Sequence, residues 1–247
     1  AVIEEIDLHE SSTIYDLPLV LEREGLTDLI VEKLGLPTQP PNLDDWKDML
    51  RALQNPEKEV TIGVVGKYIH LNSAYESIYE ALTHGGVAHR ARVIKRKIES
   101  ESLEKGDPKE ILAGVDGILV PGGFGVRGIE GKVQAVRHAR ERGIPFLGIC
   151  LGMQCAAIEF ARNVCGLEGA NSSEFDADTP HPVVCLMDEQ HRVVNMGGTM
   201  RLGAQPCLLA EKTRSRAAYG QAQISERHRH RYEFNNAYRA RYEEKGL

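Results

Sequence analysis

The feature that most constrains the fold of this chain is an apolar run that enters a Gly-x-Cys-x-Gly turn, Gly148-Ile149-Cys150-Leu151-Gly152. The preceding Pro145-Phe146-Leu147 predicts a core strand, and Met153 to Cys165 has a helical pattern. Glycine on both sides of Cys150 permits the strained turn that leaves a central side chain exposed at the end of a strand. The run therefore predicts a strand, a sharp turn and a helix, with Cys150 as the candidate nucleophile.

The position of Cys150 predicts an ionised thiol. It lies at the start of the predicted helix, where unpaired N–H groups and the positive end of the helix dipole favour a thiolate. A thiol with a pKa of ~8.5 is only a few per cent ionised at neutral pH, so a pKa lowered by about two units would make most of it nucleophilic. The alternative is a buried cysteine at the end of a core strand, the more common state of a free cysteine. The flanking glycines favour the nucleophile.

Composition and charge exclude several classes of protein. A net charge of −6 argues against a general nucleic-acid or membrane-surface binder, since neither phosphates nor anionic lipids would be attracted. The five cysteines are an odd number without paired spacing, which is typical of a reducing compartment. The first residues lack the pattern of a signal peptide, and no apolar run approaches the ~20 residues of a membrane span. We expect a cytoplasmic protein.

From Val60 onward, predicted strands and helices alternate, as in an α/β fold. The predicted strands, besides the one before Cys150, are Val60 to Val65, Arg92 to Ile94 and Gly117 to Val120; the predicted helices are Ser73 to Leu82, ended by Gly85-Gly86, and Ile129 to Arg142. A helix between two strands predicts a βαβ unit, hence a mostly parallel sheet with helices on both faces. After Cys165 the alternation stops, and we expect strands at Pro182 to Met187 and Gly197 to Gly203.

Residues 1–59 differ from the rest. They contain two helical runs, Tyr15 to Leu34 with a break near Gly25, and Leu43 to Leu53. Two or three helices bury too little surface to stand alone. We therefore expect this segment to pack on its neighbour or, the interpretation we favour, to be the cut end of a larger upstream domain.

Acyl transfer through a thiolate also needs donors for the oxyanion of the tetrahedral intermediate and a group that moves protons. The expected donors are the N–H of Leu151 and the N–H of Gly123, in the glycine-rich turn Pro121 to Gly125. Ligands of parallel α/β sheets bind beyond the carboxyl ends of the strands. Gly123 and Cys150 both lie at such ends.

Together these residues resemble the class I glutamine amidotransferases, which hydrolyse the side-chain amide of glutamine and pass ammonia to a partner active site. Residues 60–247 resemble most densely the amidotransferase domain of the CTP synthase family. The matching segments are Val65-Gly66-Lys67-Tyr68, Val120 to Gly125, Gly148 to Gln154, Asn171 to Phe175, Gly197 to Gly203 and Arg227 to Glu233. By the same resemblance, residues 1–59 would be the end of a synthetase domain and a helical linker.

The resemblance implies residue roles. It assigns the nucleophile to Cys150 and the glutamine contacts to Gly123, Leu151, Gly152, Met153, Gln154, Glu174 and Arg231. A carboxylate and a guanidinium suit the ammonium and carboxylate of a free amino acid. Taken alone, Glu174 could be a solvated loop residue, and Arg227 to Arg231 an exposed basic face or weak phosphate patch.

The resemblance also implies an activator and a larger assembly. Arg127 and Glu130 match a place where the family contacts GTP, its activator. The amidotransferase domain would need no cofactor, whereas ATP and Mg²⁺ would act in the synthetase domain, which converts UTP to CTP with the ammonia, in a homotetramer. His228 and His230 could suggest a metal, but no cysteine lies nearby at ligand spacing, so we expect none.

The chain departs from the family pattern in one respect. The family takes its base and orienting carboxylate from a Phe-His-Pro-Glu segment that does not occur in these 247 residues. None of the nine histidines has a matching context: His9, His70, His84, His89, His138, His181, His191, His228 and His230. We therefore expect a domain truncated at its C-terminus that binds glutamine but hydrolyses it poorly. The alternatives are a non-catalytic glutamine- or GTP-binding fragment and a related cysteine hydrolase.

Overall fold

The computed structural model describes residues 13–37, 39–187, 190 and 200–247. Its helices are α1 Leu17–Arg23, α2 Leu26–Leu34, α3 Asp44–Gln54, α4 Asn72–Ala88, α5 Ser100–Lys105, α6 Pro108–Ile111, α7 Ile129–Arg142, α8 Leu151–Asn163, α9 Arg214–Tyr219 and α10 Arg239–Glu244. Its strands are β1 Lys58–Gly66, β2 Ala91–Glu99, β3 Gly117–Val120, β4 Phe146–Gly148, β5 Asn171–Ser172, β6 Pro182–Cys185, β7 Arg201–Leu208, β8 Gln223–His230 and β9 Glu233–Phe234.

The chain divides into two compact units, residues 1–60 with 76–94, and residues 61–75 with 95–247. In the first unit, the predicted N-terminal helices and the break at Gly25 are confirmed, since Gly25 has φ 75° between α1 and α2. The Trp46 indole N–H donates to the carbonyl of Tyr15 at 2.8 Å. The Tyr15 hydroxyl donates to Glu80 at 2.8 Å and lies 2.6 Å from His84 Nε2.

The prediction that Gly85-Gly86 ends a helix is wrong, because α4 continues through both glycines to Ala88. Close packing explains why a residue without a side chain lies at position 86. A Cβ on Gly86 would lie 2.5 Å from the carbonyl oxygen of Ala91, which leaves no room for a side chain. This glycine allows the helix to lie close to the start of β2 and does not break it.

A four-stranded sheet with the order β2-β1-β3-β4 confirms the predicted α/β fold class. β3 pairs in parallel with β1 and with β4, and α7 connects β3 to β4, as the βαβ pattern predicts. The predicted apolar face of α7 is buried, and its residues are Ile129, Val133, Val136 and Ala139. The carboxyl ends of β3 and β4 consequently lie side by side, with the turns that follow them at the same edge.

Helix α8 lies at the centre of a core in the second unit. Its buried residues include Leu151, Cys155 and Ile158, and the cluster continues into β6 and to Tyr242 of α10. The Tyr242 hydroxyl donates to the carbonyl of Ala157 at 2.8 Å. The burial of α8 on several sides fixes the direction of its first turn, where Cys150 lies.

Two smaller sheets follow α8. β5, β6 and β9 form one sheet, and β7 and β8 form an antiparallel hairpin in which Arg201 pairs with His230. The strand predicted at Pro182 to Met187 is confirmed as β6, although it is shorter. The strand predicted at Gly197 to Gly203 corresponds to β7 from Arg201, whereas residues 197–199 lie outside the described residues.

Candidate functional site

Cys150 occupies a strained turn between β4 and α8. Its backbone has φ 52° and ψ −105°, a positive φ that is costly for a residue with a side chain. The thiol is solvent-accessible, whereas Leu151 and Cys155, in the first turns of α8, have buried side chains. The predicted elbow geometry is thereby confirmed.

The two glycines of the turn are required by close packing. A Cβ on Gly148 would lie 2.5 Å from the carbonyl carbon of Gly152, and a Cβ on Gly152 would lie 2.1 Å from the carbonyl oxygen of Val120. The Ile149 N–H also donates to that Val120 oxygen at 2.9 Å. The elbow is therefore seated directly on the end of β3.

The glycine-rich turn after β3 lies against the elbow. A Cβ on Gly122 would lie 3.6 Å from the Cβ of Cys150, and one on Gly123 would lie 3.1 Å from Cδ2 of Leu151. The Gly125 N–H donates to Oε1 of Glu174 at 3.1 Å. Both residues expected to donate to an oxyanion, Gly123 and Leu151, are thus neighbours beside the thiol.

A cavity of about 620 Å³ opens above Cys150. It brings together five of the residues that the sequence assigned to the site, although they come from separate segments: Gly123, Cys150, Gln154, Glu174 and Arg231. The Gln154 side chain donates to the carbonyl of Tyr232 at 3.2 Å, which joins α8 to the segment that carries Arg231. An acidic and a basic side chain at one cavity match the opposite charges of a free amino acid.

Other predicted site residues do not line this cavity. Met153 lines a separate, mostly apolar cavity of about 460 Å³ with Tyr242 and Leu247. Leu151 and Gly152 contribute through their backbone, because the Leu151 side chain is buried and Gly152 packs on β3.

The two residues expected to contact GTP also lie outside the cavity lining. The Arg127 guanidinium stacks on Tyr68 at 4.3 Å from the ring centre, and its Nε lies 3.7 Å from Glu101. Glu130 accepts two hydrogen bonds of 2.9 Å from Arg162. Arg127 and Glu130 are therefore already paired with protein groups.

The ionisation of Cys150 differs from the sequence-based expectation. Burial raises the pKa of Cys150, the Leu151 N–H that hydrogen-bonds to it lowers the pKa, and the Glu174 carboxylate raises it again. The predicted lowering of the pKa is wrong, because loss of hydration and a neighbouring negative charge outweigh the N–H at the helix start.

Sequence reasoning did not find several members of the cavity lining: Phe124, Gly125, Met200, Arg229, His230 and Tyr232. His230 lies 2.8 Å, through Nε2, from His228 and 3.3 Å, through Nδ1, from Glu233. Burial lowers the pKa of His230, an effect that Glu233 opposes. Four consecutive residues, 229–232, line the cavity where β8 ends, so the alternation along a strand could not have identified them.

The remaining cysteines are poor nucleophile candidates. Burial raises the pKa of Cys155 to about 12. Cys165 is buried, Cys185 is half-buried and Cys207 is exposed but lies away from the cavity lining. Within the described part of the chain, no group of three or more His, Cys, Asp or Glu side chains could hold a metal ion, and no helix is long and apolar enough to cross a membrane.

Comparison with known proteins places this geometry in a family. Residues 70–247 match the family described as Glutamine amidotransferase class-I. The CTP synthase of Carboxydothermus hydrogenoformans is 55% identical over 239 residues, which are 97% of this chain and 44% of the relative. The CTP synthase of Methanocaldococcus jannaschii is 53% identical over 248 residues, with 98% of this chain and 46% of the relative covered. The chain thus spans less than half the length of these curated relatives.

Among solved structures, the glutaminase domain of Trypanosoma brucei CTPS with bound acivicin is similar to this chain. The TM-score is 0.69 and the sequences are 38% identical, with 76% of this chain and 72% of that chain covered. The chain belongs to the class I glutamine amidotransferases.

Proposed function

We propose that this chain is the glutamine-hydrolysing, ammonia-supplying part of a CTP synthase, with Cys150 as the nucleophile. The observation that carries the proposal is the cavity that a strained, accessible Cys150 lines together with Glu174 and Arg231. The similarity to CTP synthases supports the wider assignment.

Binding comes first in this mechanism. The Arg231 guanidinium pairs with the α-carboxylate of glutamine through its planar fork, and Glu174 accepts from the ammonium. In the free chain, the negative charge of Glu174 raises the pKa of Cys150. The positive charge of the substrate ammonium offsets this effect. Glutamine binding should therefore favour the thiolate at the moment it is needed.

The chemical steps follow from the elbow. The Cys150 thiolate attacks the side-chain carbonyl carbon, and the resulting oxyanion accepts from the N–H groups of Gly123 and Leu151. The C–N bond then breaks, ammonia leaves with the proton released by the thiol, and a γ-glutamyl thioester remains. Water hydrolyses the thioester to glutamate and regenerates the thiol.

We do not assign to His230 the role of carrying the proton from the thiol to the leaving ammonia. Its Nε2 lies 2.8 Å from Nδ1 of His228, and its Nδ1 lies 3.3 Å from the carboxylate of Glu233. Its role in this proposal is to order the end of β8, directly before Arg231.

In the wider proposal, the ammonia serves an ATP- and Mg²⁺-dependent synthetase centre that converts UTP to CTP in a homotetramer. GTP activates glutamine hydrolysis near Arg127 and Glu130, and the amidotransferase domain itself, residues 60–247, needs no cofactor. Residues 1–59 are the end of the synthetase domain and a linker. Five free thiols support a cytoplasmic location, since such a compartment keeps cysteines reduced.

Ammonium release from amide-labelled glutamine tests the proposal. Wild-type chain should release ammonium slowly, because the family's base is absent from these residues, but above the level seen with Cys150→Ser. Cys207→Ser should match wild type, because Cys207 is an exposed thiol outside the cavity lining. Equal release by wild type and Cys150→Ser would overturn the proposal.

A further inference from the structure

Opposite charges clamp one peptide group of the glycine-rich turn. The Lys67 ammonium donates to the carbonyl oxygen of Phe124, and the N–H of the same peptide group, that of Gly125, donates to Glu174 at 3.1 Å. One peptide group, Gly123–Phe124, separates the clamped peptide from the one that carries the Gly123 N–H, the group expected to donate to the oxyanion. The orientation of this loop thus depends on a cation at one end of the peptide and an anion at the other.

Lys67 is itself firmly placed. It directly follows β1, and the Tyr75 hydroxyl donates to its carbonyl oxygen at 2.5 Å. A Cβ on the preceding Gly66 would lie 2.9 Å from that hydroxyl, so glycine here allows the hydroxyl to lie close to the backbone. The next residue, Tyr68, has φ 53°, which turns the chain away after Lys67.

Apolar packing cannot replace this clamp. The Phe124 side chain is 82% exposed and Val126 is 62% exposed, so the loop has few buried side chains of its own to hold it. The Lys67 ammonium lies 5.8 Å from the centre of the Phe124 ring, a second favourable contact with the same residue. At Phe124 and Gly125, charge-assisted hydrogen bonds to the backbone are therefore an important restraint on the loop.

We infer that Lys67 is a positioning residue for glutamine hydrolysis, which fixes the Phe124–Gly125 peptide and thereby aims the neighbouring Gly123 N–H at the oxyanion. This inference rests on the proposed function. Glu174 is shared in that function, because it also accepts from the substrate ammonium. Lys67 then remains as the restraint that the substrate does not engage.

An aldehyde analogue of glutamine separates this role from general binding. The open-chain form of glutamate γ-semialdehyde, which is in equilibrium with a cyclic imine, carries the same ammonium and carboxylate. Addition of the Cys150 thiol to its carbonyl carbon gives a tetrahedral hemithioacetal whose oxygen occupies the oxyanion position. Iodoacetamide also reacts with the thiol, but the thiolate displaces iodide and no oxyanion forms. Only the first reaction needs an aligned Gly123 N–H.

The test compares both reactions in matched variants of the chain. Lys67→Met keeps the length of the side chain and removes the charge, Lys67→Arg keeps the charge, and Lys105→Met makes the same change at an exposed lysine of α5. Lys67→Met should weaken aldehyde binding about tenfold or more, because misplaced oxyanion donors are costly. Its rate of alkylation by iodoacetamide and its affinity for glutamine, measured in a Cys150→Ser background, should stay within about twofold of the control.

The outcomes separate the two proposals. Loss of aldehyde binding alone in Lys67→Met, with recovery in Lys67→Arg, supports the positioning role. Unchanged aldehyde binding, or equal losses in aldehyde binding, alkylation and glutamine affinity, would overturn it, since the second pattern indicates a collapsed cavity. If wild type and Cys150→Ser bind the aldehyde equally well, the proposed function itself fails.

Discussion

At the scale of single residues, the backbone conformation of Cys150 exposes its thiol, whereas the surroundings of the thiol disfavour its ionisation. A positive φ places the thiol at the mouth of the cavity, while burial and the Glu174 carboxylate keep its pKa high. The Leu151 N–H lowers the pKa of Cys150 but does not outweigh these two effects. In the free chain these effects together favour the protonated thiol.

Replacing Glu174 should change two reactions of Cys150 in opposite directions. Glu174→Gln removes a negative charge that raises the pKa of Cys150, so alkylation by iodoacetamide near pH 8 should become faster by a few fold. Labelling by a diazo-ketone analogue of glutamine should become slower, because the ammonium loses its carboxylate. The pH profile of alkylation should rise with pH in both proteins and should lie at lower pH in the variant.

A matched control for this prediction is Glu168→Gln, at an exposed position outside the cavity lining. It should leave both rates and the pH profile unchanged. If Glu174→Gln slows iodoacetamide and diazo-ketone to the same extent, the carboxylate supports the shape of the cavity and does not act through its charge.

Arg231 is expected to hold the substrate carboxylate with two parallel hydrogen bonds. Arg231→Lys keeps the charge but loses the planar fork, which should weaken glutamine binding by about 1–3 kcal/mol. Calorimetry on a Cys150→Ser background measures this without turnover. Arg227→Lys, an exposed change on strand β8, which ends directly before Arg231, should have no effect, and an equal loss in both variants would assign Arg231 to a general basic surface.

At the scale of elements, α7 and α8 are joined by an ion pair that sequence periodicity could not show. Arg140 makes three hydrogen bonds to Glu159, at 2.7, 3.0 and 3.1 Å, and the Glu159 side chain is 1% exposed. Asn163 donates to the same carboxylate at 3.1 Å. Because α8 carries the elbow at its start, this pair helps to fix the helix that positions Cys150.

Breaking the pair should be costly to folding. Arg140→Gln leaves a buried carboxylate without its cation, and we expect the free energy of unfolding in urea to fall by about 3 kcal/mol. Arg137→Gln removes a neighbouring cation from an exposed pair with Glu141 on the same helix and should cost less than about 1 kcal/mol. Similar losses in the two variants would mean that Glu159 finds another partner or becomes hydrated.

Elements were predictable from the sequence where one physical cause dominates. The period of apolar residues gave α7 with its buried face, and the glycines around Cys150 gave the elbow. The course of α4 was not predictable, since Gly86 is small for packing against Ala91 and not for ending a helix. A glycine has the same letter in both cases, and only the neighbouring backbone distinguishes them.

At the scale of the whole molecule, the site depends on contacts between distant segments. Spacing alone indicated that Gly123 and Cys150 meet at the ends of neighbouring strands, because parallel sheets bring such ends together. Glu174 and Arg231 entered only through resemblance, and the lysine at position 67 had no assigned role. Its contact with Phe124 spans β1 and the turn after β3, a pairing that depends on the strand order in the sheet.

The central claim, that Cys150 attacks the side chain of glutamine in this cavity, is tested most directly by peptide mapping after reaction with a diazo-ketone amino acid that mimics glutamine. The account predicts one label per chain, located on Cys150, blocked by excess L-glutamine and absent from Cys207, the other exposed thiol. Iodoacetamide on the same protein should modify Cys207 as well, which shows that its thiol is available. A label distributed over both thiols, or a label on Cys150 that glutamine does not block, would contradict the account.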